Sequence, residues 1–254
     1  MRLIPEARLA LSLLEKRKVR EKEGKFVVEG ERLIKEAQDQ IRFLIYCERL
    51  PIVNWAERQN IPVYKVSRKI FELLTSVETP QGVLAVVLKP EYHLRDVFKT
   101  RDPLLVYCAE IQDPGNLGAI IRSADAVGAA GVLLSKGTVD LYNQKVIRST
   151  MGSLFHLPVV EAGRVEEGIK VLKDRGIRLM ATDPESKKDY WEADFKGPTA
   201  ILVGNEGAGL AGSILNECDE VIRIPMPGKA ESLNAALATS IILYEALRQR
   251  WSKE

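Results

Sequence analysis

The sequence has few residues that could bind a metal ion or form disulfide bridges. It contains only two histidines, His93 and His156, and three cysteines, Cys47, Cys108 and Cys218. No two of these five residues have the close spacing of metal ligands, so we predict no metal site. The cysteines are far apart and lie in apolar segments, which favours buried thiols in a reducing compartment over a disulfide framework.

The sequence also lacks long apolar runs. None approaches the ~20 residues that a bilayer-spanning helix needs, so we expect no membrane partner. The N-terminal segment MRLIPEARLALSLLEKRKVR contains glutamates and no cleavage-site pattern, so we expect no signal peptide and a cytoplasmic protein. The 254 residues are 46% hydrophobic and 28% charged, which is enough apolar material for one large domain or two of ordinary size.

The sequence has no large excess of charge of one sign, because the formal net charge is only +2. The segment KRKVREKEGK, from Lys16 to Lys25, nevertheless contains six basic residues and two acidic ones. This segment is either a solvated helix face or a contact surface for the phosphate backbone of a nucleic acid. The candidates for phosphate contacts are Lys16, Arg17, Lys18 and Arg20.

The first ninety residues alternate between strand and helix patterns. The segments KFVVE, IRFLIYC, PVYKVS and GVLAVVL predict strands, and ERLIKEA, LPIVNWAERQN and RKIFELLTSV predict short helices. This alternation predicts a small α/β domain over residues 1–92. A polar segment with prolines at both ends follows, and we predict a linker over residues 93–102.

The rest of the chain, residues 103–254, alternates more regularly. The predicted strands are LLVYCAE, GVLLS, LPVVE, IRLMATD, TAILVG and EVIRIP, and the predicted helices are GNLGAIIRSADAVG, LYNQKVIRSTMGSLF, VEEGIKVLKDRG and the final apolar segment. Strands that alternate with helices predict an α/β domain with a mostly parallel sheet and helices on both faces.

Three glycine-bearing loops, EIQDPGNLG, VGNEGAG and IPMPGKAESLN, each follow a predicted strand. Ligands of open parallel sheets bind at the carboxyl ends of the strands, so the three loops together predict a nucleotide-like ligand. The Gly-Lys-Ser/Thr of a phosphate-binding P-loop is missing, and Gly204, Gly207 and Gly209 are spaced GxxGxG instead of GxGxxG. The patterns alone therefore predict a binding domain without identifying its ligand.

The same loops carry a resemblance to a known family. In order along the chain, DPGNLGAIIRSADAVG, ILVGNEGAGL and IPMPGKAESLNAALA resemble the three motifs of the SpoU (TrmH-like) RNA ribose 2′-O-methyltransferases of the SPOUT superfamily. VIRSTMGSLFHLPVV is similar to the segment between the first two motifs. Upstream, REKEGKFVVEGERLIKEA and TPQGVLAVV resemble the accessory substrate-binding domain of many members, which is similar to small RNA-binding ribosomal proteins. The resemblance covers nearly the whole chain.

The resemblance implies transfer of a methyl group from S-adenosylmethionine to a ribose 2′-hydroxyl in structured RNA, with ribosomal RNA favoured over transfer RNA. It further implies a homodimer through the C-terminal domain, no metal, and a deep trefoil knot in that domain. Ordinary topology rules would predict an unknotted sheet, because real knots are very rare.

Site residues are implied by the same motifs. Donor binding, mainly through backbone groups, is implied for Gly204, Ile224, Met226 and Leu233. The alternative for Ile224 and Leu233 is a role as core residues, and this role is compatible with donor binding through the backbone. Roles at the reacting centre are implied for Asn116, Arg122, Glu206, Ser232 and Asn234.

Each polar candidate also has a structural alternative. Arg122 has the spacing of an i,i+3 ion pair with Asp125. Ser232 has the alternative role of a helix N-cap, and Asn234 that of a solvated or capping residue in the first turn. Glu206 is otherwise a solvated loop acid or a partner for an arginine of the same site.

The implied reaction is an in-line displacement in which a ribose 2′-oxygen attacks the methyl group of a sulfonium and loses its proton. The family proposal makes Arg122 the base, but a guanidinium group gives up its proton only at great cost. The alternative is that Arg122 holds the adjacent phosphate and stabilises the developing alkoxide. Two other classes of function stay open: a knotted RNA-binding protein without turnover, and a nucleotide-dependent enzyme acting on small molecules.

Overall fold

The computed structural model describes residues 3–251, which form two compact units. The first unit comprises the chain up to Glu91 together with Asp140–Phe155, and the second comprises Tyr92–Val139 and the chain from His156 onward. Each unit has its own sheet. The polypeptide therefore passes from one unit to the other three times.

The helices and strands lie where the sequence patterns place them, with three added helices, two near the N-terminus and a short one at Gly212–Leu215. The strands are β1 (Lys25–Glu29), β2 (Ile41–Tyr46), β3 (Val63–Lys65), β4 (Val83–Leu88), β5 (Leu104–Cys108), β6 (Gly131–Leu134), β7 (Val159–Glu161), β8 (Arg178–Thr182), β9 (Thr199–Val203) and β10 (Glu220–Ile222). The helices are α1 (Pro5–Glu15), α2 (Arg17–Glu23), α3 (Glu31–Glu36), α4 (Pro51–Arg58), α5 (Arg68–Phe71), α6 (Pro114–Ala126), α7 (Gln144–Thr150), α8 (Val165–Asp174), α9 (Gly212–Leu215) and α10 (Ala235–Arg250).

The first unit contains a four-stranded sheet in the order β1-β4-β2-β3. β4 runs antiparallel to β1 and β2, whereas β2 and β3 are parallel. Helix α1 covers this sheet, because Ala7, Ala10 and Leu13 recur on one helix face and are fully buried. The sequence patterns above define neither α1 nor α2; Pro5 at the first helical position marks where α1 begins.

Residues 140–155 are an integral part of the first unit, although the predicted boundaries place them in the second domain. Phe26 of β1 is fully buried and packs against the rings of Tyr142 and Phe155, with centroids 4.7 and 6.0 Å away. The side-chain amide of Gln144 donates to the carbonyl of Val27 at 3.0 Å. The segment joins the first unit because its aromatic and apolar side chains complete the core beside β1.

The second unit is built on a six-stranded sheet in the order β10-β8-β9-β5-β6-β7, in which all paired neighbours are parallel. Leu105 and Tyr107 of β5 pack in one core with Ile169 of α8. The alternate β5 residues point to the opposite face, where α6 and α10 pack together and Ser123 bonds Ser240 at 2.7 Å. The predicted parallel α/β sheet with helices on both faces is confirmed.

Two further expectations concern the chain as a whole. The deep trefoil knot stays a prediction. Among residues 3–251, every helix is too short or too polar to cross a membrane.

Candidate active site

The three glycine-bearing loops follow β5, β9 and β10, and their polar side chains converge beyond the carboxyl ends of these strands. Parallel strands place equivalent ends at one edge of a sheet, so loops that are distant in sequence become neighbours there. The first loop spans residues 109–113, the second 204–211 and the third 223–234.

The first loop ends in a helix start that fixes Asn116. Asp113 is the N-cap of α6 and accepts a hydrogen bond from the backbone N–H of Asn116 at 2.9 Å. Pro114 occupies the first helical position, which favours this start because its fixed φ suits a helix. The side chain of Asn116 is thereby held in the first turn, and the residue is buried.

The second loop is folded around the side chain of Asn205. Its Oδ1 accepts from the backbone N–H of Gly207 and Ala208 at 2.9 and 3.0 Å, and its backbone pairs with Gly209 in both directions. A Cβ at Gly204 would overlap the backbone of Gly209, so the loop requires glycine at position 204. This tight turn places Glu206 at its tip.

Glu206 reaches across to the first loop. Its Oε2 accepts from the backbone N–H of Gln112 at 3.0 Å, and its Oε1 accepts from the backbone N–H of Asp113 at 3.0 Å and from Nδ2 of Asn116 at 2.9 Å. Burial alone would raise the pKa of the Glu206 carboxyl, but these hydrogen bonds outweigh burial and lower it. Glu206 is therefore ionised at neutral pH and fixed by three donors.

Asn234 joins the third loop to this arrangement. It is the N-cap of α10, and its Oδ1 accepts from the backbone N–H of Ala236 and Leu237 at 2.9 and 3.2 Å. Its Nδ2 donates to Oδ1 of Asn116 at 2.7 Å. The carboxylate of Glu206 can only accept hydrogen bonds, and the N–H groups of α10 can only donate them. Each asparagine therefore turns its Nδ2 towards Glu206 and its Oδ1 towards α10, which fixes the direction of every hydrogen bond in the chain Glu206–Asn116–Asn234.

The N-cap is thus Asn234, and the alternative that Ser232 caps the last helix is wrong. α10 begins at Ala235, so Asn234 precedes the first turn instead of lying within it as predicted. Ser232 is exposed and lies beside a cavity of about 350 Å³.

This cavity lies at the ends of β8, β9 and β10 and against the first turns of α10. All four residues expected to bind the methyl donor line it, namely Gly204, Ile224, Met226 and Leu233. Ala235 and Ala238 of α10 form part of its wall, and their small side chains leave the space open. Its volume lies in the ordinary range for small-molecule sites.

Arg122 lies outside this cavity lining, exposed on α6. The alternative pair with Asp125 does not form, because Oδ2 of Asp125 instead contacts Nδ1 of His156 at 2.9 Å. Among residues 3–251 Arg122 has no ion-pair partner, so its guanidinium group is available to a ligand.

The basic segment divides into two kinds of residue. Lys16, Arg17 and Lys18 are exposed, and Arg17 pairs with Glu21 at 2.6 Å. Arg20 is buried and its guanidinium group bonds protein atoms. The structure therefore gives Arg20 an internal role, and the prediction of a phosphate contact is kept only for the three exposed residues.

Several residues of the site were missed from the sequence. Gln112 and Asp113 hold Glu206 through their backbone, and Asn205 shapes the second loop. Only Asp113 carried a readable signal, because an aspartate immediately before Pro-Gly-Asn is typical of a helix N-cap. Within the described part of the chain, no cluster of three or more His, Cys, Asp or Glu residues could hold a metal ion.

Comparisons with known proteins identify the family of the chain. The chain matches the SpoU rRNA methylase family over residues 103–244 and the MRM3-like substrate-binding domain over residues 9–85. It is 38% identical to the 23S rRNA (uridine(2479)-2′-O)-methyltransferase of Streptomyces viridochromogenes, over 95% of this chain and 88% of the relative. It is 37% identical to the 23S rRNA (guanosine(2553)-2′-O)-methyltransferase RlmP of Bacillus subtilis strain 168, over 91% of this chain and 92% of the relative.

A solved structure is similar along the same length. The SpoU methyltransferase AviRb from Streptomyces viridochromogenes, in complex with the cofactor AdoMet, superposes with a TM-score of 0.87 at 35% identity and covers 98% of both chains. The family match covers more than half of the chain, and the relatives are similar over nearly all of it. The chain belongs to the SpoU rRNA methylase family.

Proposed function

We propose that this protein transfers a methyl group from S-adenosylmethionine to a ribose 2′-hydroxyl of 23S ribosomal RNA. The observation that carries the proposal is the hydrogen-bonded chain Glu206–Asn116–Asn234, which joins all three motif loops beside a cavity of suitable size. Relatives at 38% and 37% identity are named as 2′-O-methyltransferases of this RNA. A ribosomal RNA substrate implies a cytoplasmic location.

The cavity fits the donor in shape and in chemistry. Its walls combine apolar side chains, such as Ile224 and Leu233, with the backbone of the Gly204 loop, and that combination suits an adenosine group. When bound, S-adenosylmethionine supplies an electrophilic methyl group on a positively charged sulfur. The residues that would hold it are Gly204, Ile224, Met226 and Leu233.

Glu206 acts by positioning. Both of its oxygens already accept hydrogen bonds, and its lowered pKa makes it a weak base. Its role is to fix the first loop against the second, and through Asn116 and Asn234 to fix the start of α10. Alignment of this kind contributes to rate because the attacking oxygen must meet the methyl group in line.

Arg122 supplies positive charge to the RNA. Its guanidinium group is exposed and has no ion-pair partner among the described residues, and a guanidinium group stays protonated in proteins. Its planar fork suits a phosphate, and its charge would stabilise an alkoxide that develops at the ribose. The proton of the 2′-hydroxyl then leaves to the phosphate or to solvent.

The first unit would recognise the RNA. Residues 9–85 match a substrate-binding domain, and the relatives named for 23S ribosomal RNA are similar along the first unit as well as the second. Lys16, Arg17 and Lys18 present exposed positive charge on this unit and would contact phosphates.

The alternative functions lack comparable support. A knotted RNA-binding protein without turnover would have no need for a complete polar network, yet Asn116, Glu206 and Asn234 are all present and bonded to one another. A nucleotide-dependent enzyme for small molecules would have no need for the substrate-binding domain.

We infer that the protein forms a homodimer whose interface includes α10. Leu237, Ile241 and Tyr244 recur on one face of the helix and are 58%, 36% and 54% exposed, and Trp251, the residue after the helix, is 66% exposed. The opposite face is buried within the second unit through Ile242 and its neighbours. An exposed apolar stripe on a helix is typical of a protein–protein interface, and a second copy of the chain is the partner that the family resemblance implies.

Replacing Arg122 tests its catalytic role. We expect Arg122→Ala to fold and to bind the donor normally but to lose methyl transfer by a factor of ~100 or more, since the charge near the ribose is gone. Arg122→Lys should recover part of the rate if charge alone suffices. The measurement is single-turnover methyl transfer to a 23S RNA transcript, with Arg101→Ala, which also changes an exposed arginine, as the control. A wild-type rate for Arg122→Ala would remove Arg122 from the mechanism.

Glu206→Gln tests the positioning role. A glutamine amide would place donors against the N–H groups of the first loop, so we expect about 1 kcal/mol of lost stability at pH 7 and a 10- to 100-fold lower rate. Because the pKa of Glu206 is lowered in the folded state, its ionised carboxylate stabilises the protein at pH values above the unfolded glutamate pKa of about 4.3. This stabilisation is lost as the pH falls through the folded-state pKa.

The stability difference between wild type and Glu206→Gln should therefore shrink as the pH falls from 7 to 3, as measured by urea denaturation. Glu217→Gln, which removes an exposed partner of Lys173, is the matched control and should change little. A pH-independent difference would mean that the Glu206 charge contributes nothing to holding the loops.

Leu237→Glu tests the proposed dimer. A charge in the middle of the apolar stripe should yield a folded monomer at micromolar concentration, because burying it in the interface would be costly. Light scattering on the full chain is the measurement, with Lys170→Glu on the exposed face of α8 as the control. The full chain is required because a fragment without the first unit would lose the packing of residues 140–155. Unchanged mass for Leu237→Glu would place the interface elsewhere.

A further inference from the structure

We propose that the carboxylate of Asp183 binds the ribose hydroxyls of the methyl donor, so that the donor site selects a ribonucleoside. This proposal rests on the proposed function and adds to it a residue that lies outside the three motif loops. Asp183 directly follows β8 in the second unit, and the residues that surround it belong to the same unit.

Asp183 lies between the two strands whose loops are expected to hold the donor. In the sheet, β8 is flanked by β10 on one side and by β9 on the other. Continuing the register of β8 against β9 places Asp183 beside Gly204. On the other side, the backbone N–H of Asp183 donates to the carbonyl of Ile222 at 3.0 Å, two residues before Ile224. A donor that contacts both Gly204 and Ile224 therefore passes Asp183.

The side chain of Asp183 is held in place and keeps one oxygen for a ligand. The residue is half-buried and lines the cavity. Its Oδ1 accepts from the backbone N–H of Glu185 at 2.8 Å, and its carbonyl accepts from the backbone N–H of Ser186 at 3.2 Å, which closes a tight turn. Among residues 3–251, no hydrogen bond or ion pair engages Oδ2 of Asp183.

The basic residue beside Asp183 is committed to another carboxylate. Arg223 also lines the cavity, but its Nε donates to Oδ1 of Asp189 at 2.8 Å. The backbone N–H of Arg223 donates to the carbonyl of Lys188 at 2.9 Å, so the same segment holds both its backbone and its side chain. The carboxylate of Asp183 is thus left to accept hydrogen bonds from neutral donors such as hydroxyl groups.

The other polar side chains of the cavity wall have tasks already. Both oxygens of Glu206 accept from the first loop, and both amide atoms of Asn205 bond backbone groups. Thr182 donates its hydroxyl to the carbonyl of Leu202 at 3.3 Å. The family motifs imply Ser232 for the reacting centre. Asp183 is therefore the carboxylate of this wall with spare capacity to accept hydrogen bonds.

The chemistry of a ribose fits this carboxylate. Its two adjacent hydroxyls both donate hydrogen bonds, and a carboxylate only accepts them, with lone pairs for several donors. Hydrogen bonds from a hydroxyl to a carboxylate are short and stronger than those between neutral groups. In dinucleotide-binding α/β proteins an acidic side chain binds a ribose of the cofactor in this way. A donor without the hydroxyls would leave the Asp183 carboxylate without these partners, so the site would reject it.

The test is calorimetric titration of three probes into the full-length wild type and Asp183→Asn. S-adenosylhomocysteine contains the adenosine and the amino-acid end of the donor. Its 2′,3′-dideoxy analogue lacks both ribose hydroxyls, whereas 5′-methylthioadenosine keeps them and lacks the amino-acid end. The asparagine retains an oxygen for the N–H of Glu185, so the turn after β8 is expected to persist.

Asp219→Asn is the matched control. Oδ2 of Asp219 also accepts one backbone hydrogen bond, from the N–H of Leu179 at 2.7 Å. Asp219 precedes β10, however, and therefore lies at the opposite end of the sheet from the cavity. We expect this variant to bind all three probes within about twofold of the wild type.

We expect the wild type to bind S-adenosylhomocysteine at least ~10-fold more tightly than the dideoxy analogue, because hydrogen bonds to a charged group are lost with the hydroxyls. Asp183→Asn should weaken binding of S-adenosylhomocysteine and of 5′-methylthioadenosine by about tenfold each. Its affinity for the dideoxy analogue should stay within about twofold of the wild-type value, since that probe has no hydroxyl for the carboxylate to bind.

Three results would overturn the proposal. The first is unchanged affinity of Asp183→Asn for S-adenosylhomocysteine. The second is an equal loss for S-adenosylhomocysteine and its dideoxy analogue, and the third is a loss for S-adenosylhomocysteine without one for 5′-methylthioadenosine, which would assign Asp183 to the ammonium group. A wild type that does not bind S-adenosylhomocysteine would instead contradict the proposed function. Circular dichroism of each variant checks that weaker binding does not come from unfolding.

Discussion

The carboxylate of Glu206 is the interaction on which the candidate active site depends. It accepts three hydrogen bonds from the first loop and the start of α6. Asn116, one of the three donors, in turn accepts a hydrogen bond from Asn234 at the start of α10. Because the carboxylate only accepts and the helix N–H groups only donate, the two asparagines between them have one consistent orientation. Three loops that are far apart in sequence are thereby held as one rigid edge beside the cavity.

Much of the fold follows from local sequence signals. β-branched segments bounded by turn residues located all ten strands, and their alternation with helical patterns predicted the parallel sheet. The same reasoning placed the three loops at one edge. It did not reveal that residues 140–155 pack beside β1, because that packing depends on Phe26, more than a hundred residues away, and leaves no local pattern.

The errors in the site have similar physical causes. Ser232 and Asn234 are both good N-cap residues, and only the register of the first turn decides that Asn234 bonds Ala236 and Leu237. Arg20 looks like its basic neighbours in sequence, yet the turn of α2 directs it inward to Asp140. Partners of polar side chains are set by the tertiary structure, so composition and spacing could name the residues of the site but not their bonds.

The central claim is that the second and third loops and the first turns of α10 form the donor site, and the most direct test is calorimetric titration of S-adenosylmethionine into wild type and Ala238→Phe. Ala238 lines the cavity, so a phenyl group there should fill it. Ala238 is preferable to Gly204, where a Cβ would lie 2.7 Å from the backbone nitrogen of Leu210 and deform the loop itself. The account predicts binding to the wild type and at least ~100-fold weaker binding to a folded Ala238→Phe; equal affinity for both proteins would contradict it.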